Sequence, residues 1–280
     1  MPSPPVFLRC KDKTVDLSRP VVMGVLNVTP DSFSDGGRFF DAGAAVGHGL
    51  RMAEEGAAFI DVGGESTRPN AEPVGVQEEL RRVIPVIERL AGATGAVISV
   101  DTSKPEVMRA AAAAGAGLIN DVRALREPGA VEAAQRSDCA VCLMHMQGEP
   151  RTMQASPTYQ DVVGEVRAFL AEQARVCRAA GFSAERLVLD PGFGFGKTLE
   201  HNLTLLRRLQ ELGVDGLPLM VGLSRKSMVG KLTGRPEGER LPGSLALAVM
   251  AVLAGARIVR AHDVAATVET LRVVAAVRES

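Results

Sequence analysis

The chain has 280 residues, 46% hydrophobic and 23% charged, with a net charge of −1 and a pI near 6.5. That balance excludes a broad basic face for nucleic acid, which normally lifts the pI above ~9. Four cysteines are too few for a disulfide scaffold, so a reducing, cytoplasmic setting is the expectation.

Residues 1–17 read as an N-terminal extension. Pro2, Pro4 and Pro5 mark a frayed start, and the charged-then-apolar layout of a secretion signal is absent. From residue 18 to 280 no composition break or linker interrupts the chain, so it reads as one domain. Short aliphatic or β-branched runs fall at 21–28, 58–62, 96–100, 117–120, 140–144, 187–189, 218–223 and 257–260. Each is followed by an Ala/Leu/Arg-rich stretch of helical period. Val76, Leu80, Val83, Ile84, Ile87 and Leu90 form one amphipathic stripe, and Val264, Val268, Leu271 and Val274 form another. A third stripe runs through Val162, Val166, Phe169, Leu170 and Val176.

The stretch 241–256 is almost wholly apolar but falls short of the ~20 residues a membrane helix needs. It contains Pro242 and Gly243 and lies between Arg240 and Arg257. Burial under a neighbouring helix and packing on a second copy in a homodimer both account for it. No membrane partner is expected.

Strands that are continuously apolar belong in a parallel sheet covered on both faces. Eight successive β-then-α units predict an α/β fold, a single (β/α)8 TIM barrel with its site at the C-terminal ends of the strands. The rival doubly wound sheet calls for a glycine fingerprint in the first turn, where this chain has Asn27-Val28-Thr29-Pro30.

The strand ends are polar throughout: Asn27, the segment 63–69, Asp101, Asn120-Asp121, His145, Asp190, Ser224-Arg225-Lys226, and Arg260 with His262. Arg68, Lys226, Arg260 and His262 are donors that suit a phosphate or diphosphate, and Asn27 offers an oxygen to Mg2+. Asp101, Asn120 and Asp190 are acceptors that suit the N–H edge of a heterocycle. The combination points to a nitrogen-rich ring bearing a phosphate.

Other motifs carry less. The run 192–198 looks like a phosphate loop, but Pro191 occupies the position where a Walker A loop needs glycine. Cys139 and Cys142 have C-x-x-C spacing on a strand that reads as buried, which makes them core residues. His48 and His201 read as surface or capping residues, and His145 as either a pocket wall or a structural histidine.

Seven segments resemble dihydropteroate synthases: MGVLNVTPDSFSDGG at 23–37, GESTRP at 64–69, INDV at 119–122, MHMQG at 144–148, DPGFGFGK at 190–197, SRKS at 224–227 and RAHD at 260–263. They keep the family's order. Asn70 replaces a common glycine, and Glu149 varies the methionine-rich loop. The resemblance implies a TIM-barrel transferase that joins 4-aminobenzoate to (7,8-dihydropterin-6-yl)methyl diphosphate, releasing diphosphate. It implies a pterin site of Asp101, Asn120, Met144, Asp190, Gly222, Lys226 and Arg260. Asn27, Thr67, Arg68, Arg260 and His262 would bind diphosphate, with Mg2+ at Asn27. Phe33, Thr67, Pro69, Lys226 and Ser227 would receive 4-aminobenzoate. Asp101, Lys226, Arg260 and His262 would carry the chemistry, by cleavage of the C–O bond ahead of amine attack. Segments 29–38 and 66–73 are expected to close over the diphosphate. The alternatives are a methyltetrahydrofolate-binding barrel serving a corrinoid protein and a non-catalytic pterin-binding barrel. The first has no use for a diphosphate clamp, and the second should have lost one or more clamp residues, none of which is missing.

Overall fold

The computed structural model describes residues 6–29, 42–66, 72–149 and 152–279. Among the described residues ten strands run in chain order: β1 (Phe7–Cys10), β2 (Lys13–Asp16), β3 (Val21–Asn27), β4 (Phe59–Gly63), β5 (Val97–Asp101), β6 (Leu118–Asp121), β7 (Ala140–Met144), β8 (Leu187–Asp190), β9 (Met220–Gly222) and β10 (Ile258–Ala261). The helices between and after them are α1 (Ala42–Glu54), α2 (Val76–Ala91), α3 (Pro105–Ala113), α4 (Ala130–Ser137), α5 (Val162–Ala179), α6 (Leu199–Arg207), α7 (Ser227–Thr233), α8 (Leu241–Leu253) and α9 (Val264–Glu279).

Strands β3 to β10 form one parallel sheet in the order β8-β7-β6-β5-β4-β3-β10-β9. A bridge between Leu189 and Leu219 closes it into a barrel, with the Leu189 amide donating to the Pro218 carbonyl at 3.0 Å. The seventh barrel strand is therefore shorter than the apolar run 218–223 predicts. Pro218 has no N–H for the ladder and contributes only its carbonyl.

Side chains alternate across each strand. Val22, Leu26, Ile60, Val62, Ile98, Val100, Ile119 and Val141 face outward and pack with the helices in one large core. Met23, Phe59, Val97, Leu118, Ala140, Val188, Met220 and Ile258 face inward and fill the lower half of the barrel. Two residues further along, the same inward face turns polar on five of the eight strands, which is where the site begins.

The bottom of the barrel is plugged by a feature absent from the sequence reading. β1 and β2 pair as an antiparallel hairpin within the segment read as an extension. Leu8, Cys10 and Leu17 are fully buried in the inward cluster. The Lys11 and Lys13 ammonium groups tie the hairpin down, donating to the Ala112 and Ala96 carbonyls at 2.8 Å. Two four-residue strands are too short for periodicity to reveal. The open barrel floor supplies what holds them.

Candidate functional site

Above the apolar floor, the inward positions of five strands carry Asp61, Ser99, Asn120, Asp190 and Arg260, followed at the mouth by Asn27, Gly63, Asp101 and Met144. Arg260 organises this layer. Its Nε donates to Asp61 Oδ2 at 2.6 Å and its Nη2 to Asp101 Oδ2 at 2.9 Å, so one cation spans two carboxylates. Asp61, fully buried, also accepts from the Ser99 hydroxyl at 2.5 Å and from Asn120 Nδ2 at 2.9 Å. That leaves Asn120 Oδ1 buried with no hydrogen-bond partner among the described residues. A buried acceptor left open in this way is suited to a donor from a bound ring.

Electrostatics follow from this crowding. Burial raises the Asp101 carboxyl well above the usual carboxylate range, Arg260 opposes the rise, and Asp61 adds to it. Burial likewise raises Asp190, although the Gly192 amide donates to its Oδ1 at 2.7 Å. Burial disfavours the charge on Arg260, but Asp61 and Asp101 outweigh it and hold the guanidinium above its ordinary value. Lys226, the N-cap of α7 beyond β9, is pulled down to about 8 by burial despite Asp190. Its ammonium donates to the Phe193 carbonyl and lies 4.5 Å from the centre of the Phe195 ring.

The rim is built by side-chain ties between the segments that follow neighbouring strands. The Ser224 hydroxyl meets the His262 amide at 3.2 Å and its Nδ1 at 3.1 Å. Arg225, with φ of 58°, forks onto Asp263 at 3.0 and 2.5 Å and so binds the ends of β9 and β10 together. Ser227 is exposed as the first residue of α7. Asn27 is exposed at the mouth, and its Oδ1 approaches the α-carbon side of Gly63 as Asp101 does. One amide oxygen suits an ion such as Mg2+ that keeps most of its water and borrows phosphate oxygens. Among the described residues no group of three or more His, Cys, Asp or Glu could hold a metal ion.

The structure thus brings together Asp101, Asn120, Met144, Asp190, Gly222, Lys226 and Arg260 in the mouth, with Asn27, His262 and Ser227 around it. Phe33, Thr67, Arg68 and Pro69 lie outside the described residues, as does most of both segments expected to close.

Sequence reasoning missed Asp61, Ser99 and the anchor formed by Glu65, Lys104 and Glu79. Asp61 was legible as a carboxylate in the middle of an otherwise apolar strand. The anchor was not. Lys104 donates to Glu65 and to Glu79 Oε2, the latter at 2.5 Å, while Glu65 Oε1 accepts from the Val74 amide at 3.1 Å. Against the downward pull of burial, the two carboxylates hold the Lys104 ammonium above its usual range. His145 is buried and bonded to Lys197, which decides for a structural histidine. His201 closes a capping box with Thr198, and all four cysteines are free and buried.

Comparison with known proteins agrees with this arrangement. The family described as pterin binding enzyme matches residues 23–262. The chain is 58% identical to the dihydropteroate synthase of Escherichia coli (strain K12), over 94% of this chain and 93% of the relative. Among solved structures, the Yersinia pestis dihydropteroate synthase in a sulfonamide drug complex has a TM-score of 0.94 at 53% identity, covering 98% of this chain and all of that one. The Xanthomonas albilineans dihydropteroate synthase with 4-aminobenzoic acid gives 0.93 at 53% identity, over 99% of both chains.

The raised Asp101 carboxyl carries a pH signature. A carboxyl whose folded pKa exceeds its unfolded value near 3.9 contributes stability that is fully present below that value and is lost as pH rises through the folded one. Urea midpoints measured from about pH 4 to neutrality should therefore fall more for the wild type than for Asp101→Asn, whose amide carries no titrating proton. Equal slopes would show that Asp101 has an ordinary pKa.

Proposed function

The chain belongs to the pterin-binding enzymes and, within them, to the dihydropteroate synthases; on that premise, we propose how its barrel mouth performs the reaction. The enzyme joins 4-aminobenzoate to (7,8-dihydropterin-6-yl)methyl diphosphate and releases diphosphate, which excludes the methyl-transfer and non-catalytic readings.

The pterin ring lies flat in the polar layer. Asp101 and Asp190 accept from its amino and ring N–H edge, Asn120 Oδ1 takes the remaining donor, and Lys226 donates to a ring acceptor. Arg260 stacks on the ring, held by Asp61 and Asp101, and Met144 and Gly222 line the slot. The observation that carries this reading is the shared guanidinium beside the open Asn120 oxygen.

The bond between the methyl carbon and the diphosphate oxygen breaks first, its electron pair leaving with diphosphate. The carbon left behind is a cation delocalised into the ring, and the Asp101 carboxylate lies where it stabilises that charge. Arg260 and His262 meet the departing charge, with Asn27, Thr67 and Arg68 on the remaining diphosphate oxygens. Mg2+, when bound at Asn27, supplies further neutralisation of the leaving group. The neutral amine of 4-aminobenzoate then forms the C–N bond and gives its proton to water, so no strong base is required. Phe33, Thr67, Pro69, Lys226 and Ser227 receive the 4-aminobenzoate.

A homodimer completes the reading. The outward stripe of α8 carries Pro242, Ala246, Met250 and Leu253, and no charged residue occurs anywhere in the helix. Met250 and Leu253 are more than half exposed, as are Val273 and Val277 on neighbouring α9. A helix that is apolar all round is normally covered. A cytoplasmic setting is part of the same proposal. Among the described residues no helix is long and apolar enough to cross a membrane.

Two measurements test these assignments. Diphosphate release is expected to need Mg2+ and to yield dihydropteroate when 4-aminobenzoate is present. In Asp101→Asn the rate should fall by about a hundredfold or more. Release unaffected by chelation, or an Asp101→Asn rate near the wild type, contradicts the mechanism. Sedimentation equilibrium should give twice the chain mass for the wild type and a single chain mass for the pair Met250→Glu and Leu253→Glu. A monomeric wild type removes the dimer.

A further inference from the structure

The glycine-rich run 192–196 and the lysine that ends it have the composition of a phosphate loop, yet Lys197 reaches no open surface. Its side chain is buried, and Nζ donates to His145 Nδ1 at 2.9 Å, to the Gly192 carbonyl at 2.9 Å and to the Phe195 carbonyl at 3.0 Å. An ammonium has three hydrogens, and each meets an acceptor. Burial and the adjacent Lys197 charge push His145 down to about 3, so its ring is neutral and able to accept. Lys197 is itself pulled down to about 7 by burial, which nearby Asp190 counters and Lys226 reinforces.

The loop fits closely against the segment after β7. Gly192 and Gly196 have φ of +68° and +60°, and a Cβ on either would run into the His145 or Gln147 carbonyl. Asn202 Oδ1 accepts from the Gly194 amide at 2.7 Å, and the Tyr159 hydroxyl donates to the Gly196 carbonyl at 2.9 Å. What the loop offers on its other side is the Phe193 carbonyl and the Phe195 ring, both of which contact the Lys226 ammonium. The carbonyl of one residue that Lys197 grips and the ring of the same residue that Lys226 faces belong to Phe195.

We propose that Lys197 is a positioning residue: it clamps the 192–196 loop to the end of β7 and thereby fixes where Lys226 stands in the pterin pocket. The proposal rests on the reading of Lys226 as a pterin ligand. Lys197 itself touches no substrate.

The test is the affinity for 6-hydroxymethyl-7,8-dihydropterin, which lacks diphosphate, followed by fluorescence titration of wild type, Lys197→Met, Lys226→Met and the double variant. Lys197→Met should raise Kd by about tenfold, and adding it to Lys226→Met should change Kd by less than about twofold, the signature of action through one residue. A purely structural lysine would lower the melting temperature but leave Kd unchanged, or would add its full effect in the double variant; either result overturns the proposal. If Lys226→Met binds pterin normally, the reading of Lys226 fails and takes the proposal with it. Should Lys197→Met not fold, Lys197→Gln, which keeps two donors, is judged by the same criteria.

Discussion

Arg260 reaches across the inside of a closed barrel to two carboxylates on different strands, and much of the site is arranged around that reach. Its Nε and Nη2 meet Asp61 and Asp101 on β4 and β5, while its own strand pairs with β3 and β9. Such a contact needs strands that tilt around a common interior and side chains that alternate strictly. A buried ion pair of this kind adds little net stability, because desolvation offsets most of the attraction. Its value here is geometric. It fixes the plane of the guanidinium, occupies one oxygen of Asp61 and of Asp101, and through Asp61 turns the Asn120 amide so that its oxygen stays open.

The apolar floor makes this arrangement tolerable. Below the polar layer lie Met23, Phe59, Val97, Leu118, Val188, Met220 and Ile258, sealed by Leu8, Cys10 and Leu17 from the hairpin. Water is excluded from one end of the barrel, so charges at the other act across a low dielectric. The raised carboxyl of Asp101 and the lowered ammonium of Lys226 both have burial as their main cause. The chemistry at the mouth thus depends in part on a segment with no reactive group. Within the mouth, acceptors lie deep, and His262, Asn27 and Ser227 lie at the rim.

Most of the barrel was legible in the sequence because parallel strands buried on both faces are continuous apolar runs, and each predicted run coincides with a strand to within a few residues. The polar strand ends identified the mouth for the same reason. Asp61 escaped because attention to strand ends passes over a charge one pleat deeper. Asn120 and Asp121 show the limit of position alone. They are adjacent, yet the pleat sends Asn120 inward to Asp61 and Asp121 outward, where it accepts from Ser103 and from the Arg123 and Leu125 amides. The Lys197 clamp and the Glu65–Lys104–Glu79 anchor join residues far apart in the chain, and no local pattern encodes them.

The claim that Asp61 acts by holding Arg260 is tested most directly by a double-mutant cycle on kcat/KM for the pterin diphosphate, using Asp61→Asn, Arg260→Gln and their combination. The account predicts strong coupling, about 1.5 kcal/mol or more, because Asp61 has little left to do once the guanidinium is gone. Additive losses would mean that the two residues serve the reaction independently, and would contradict it.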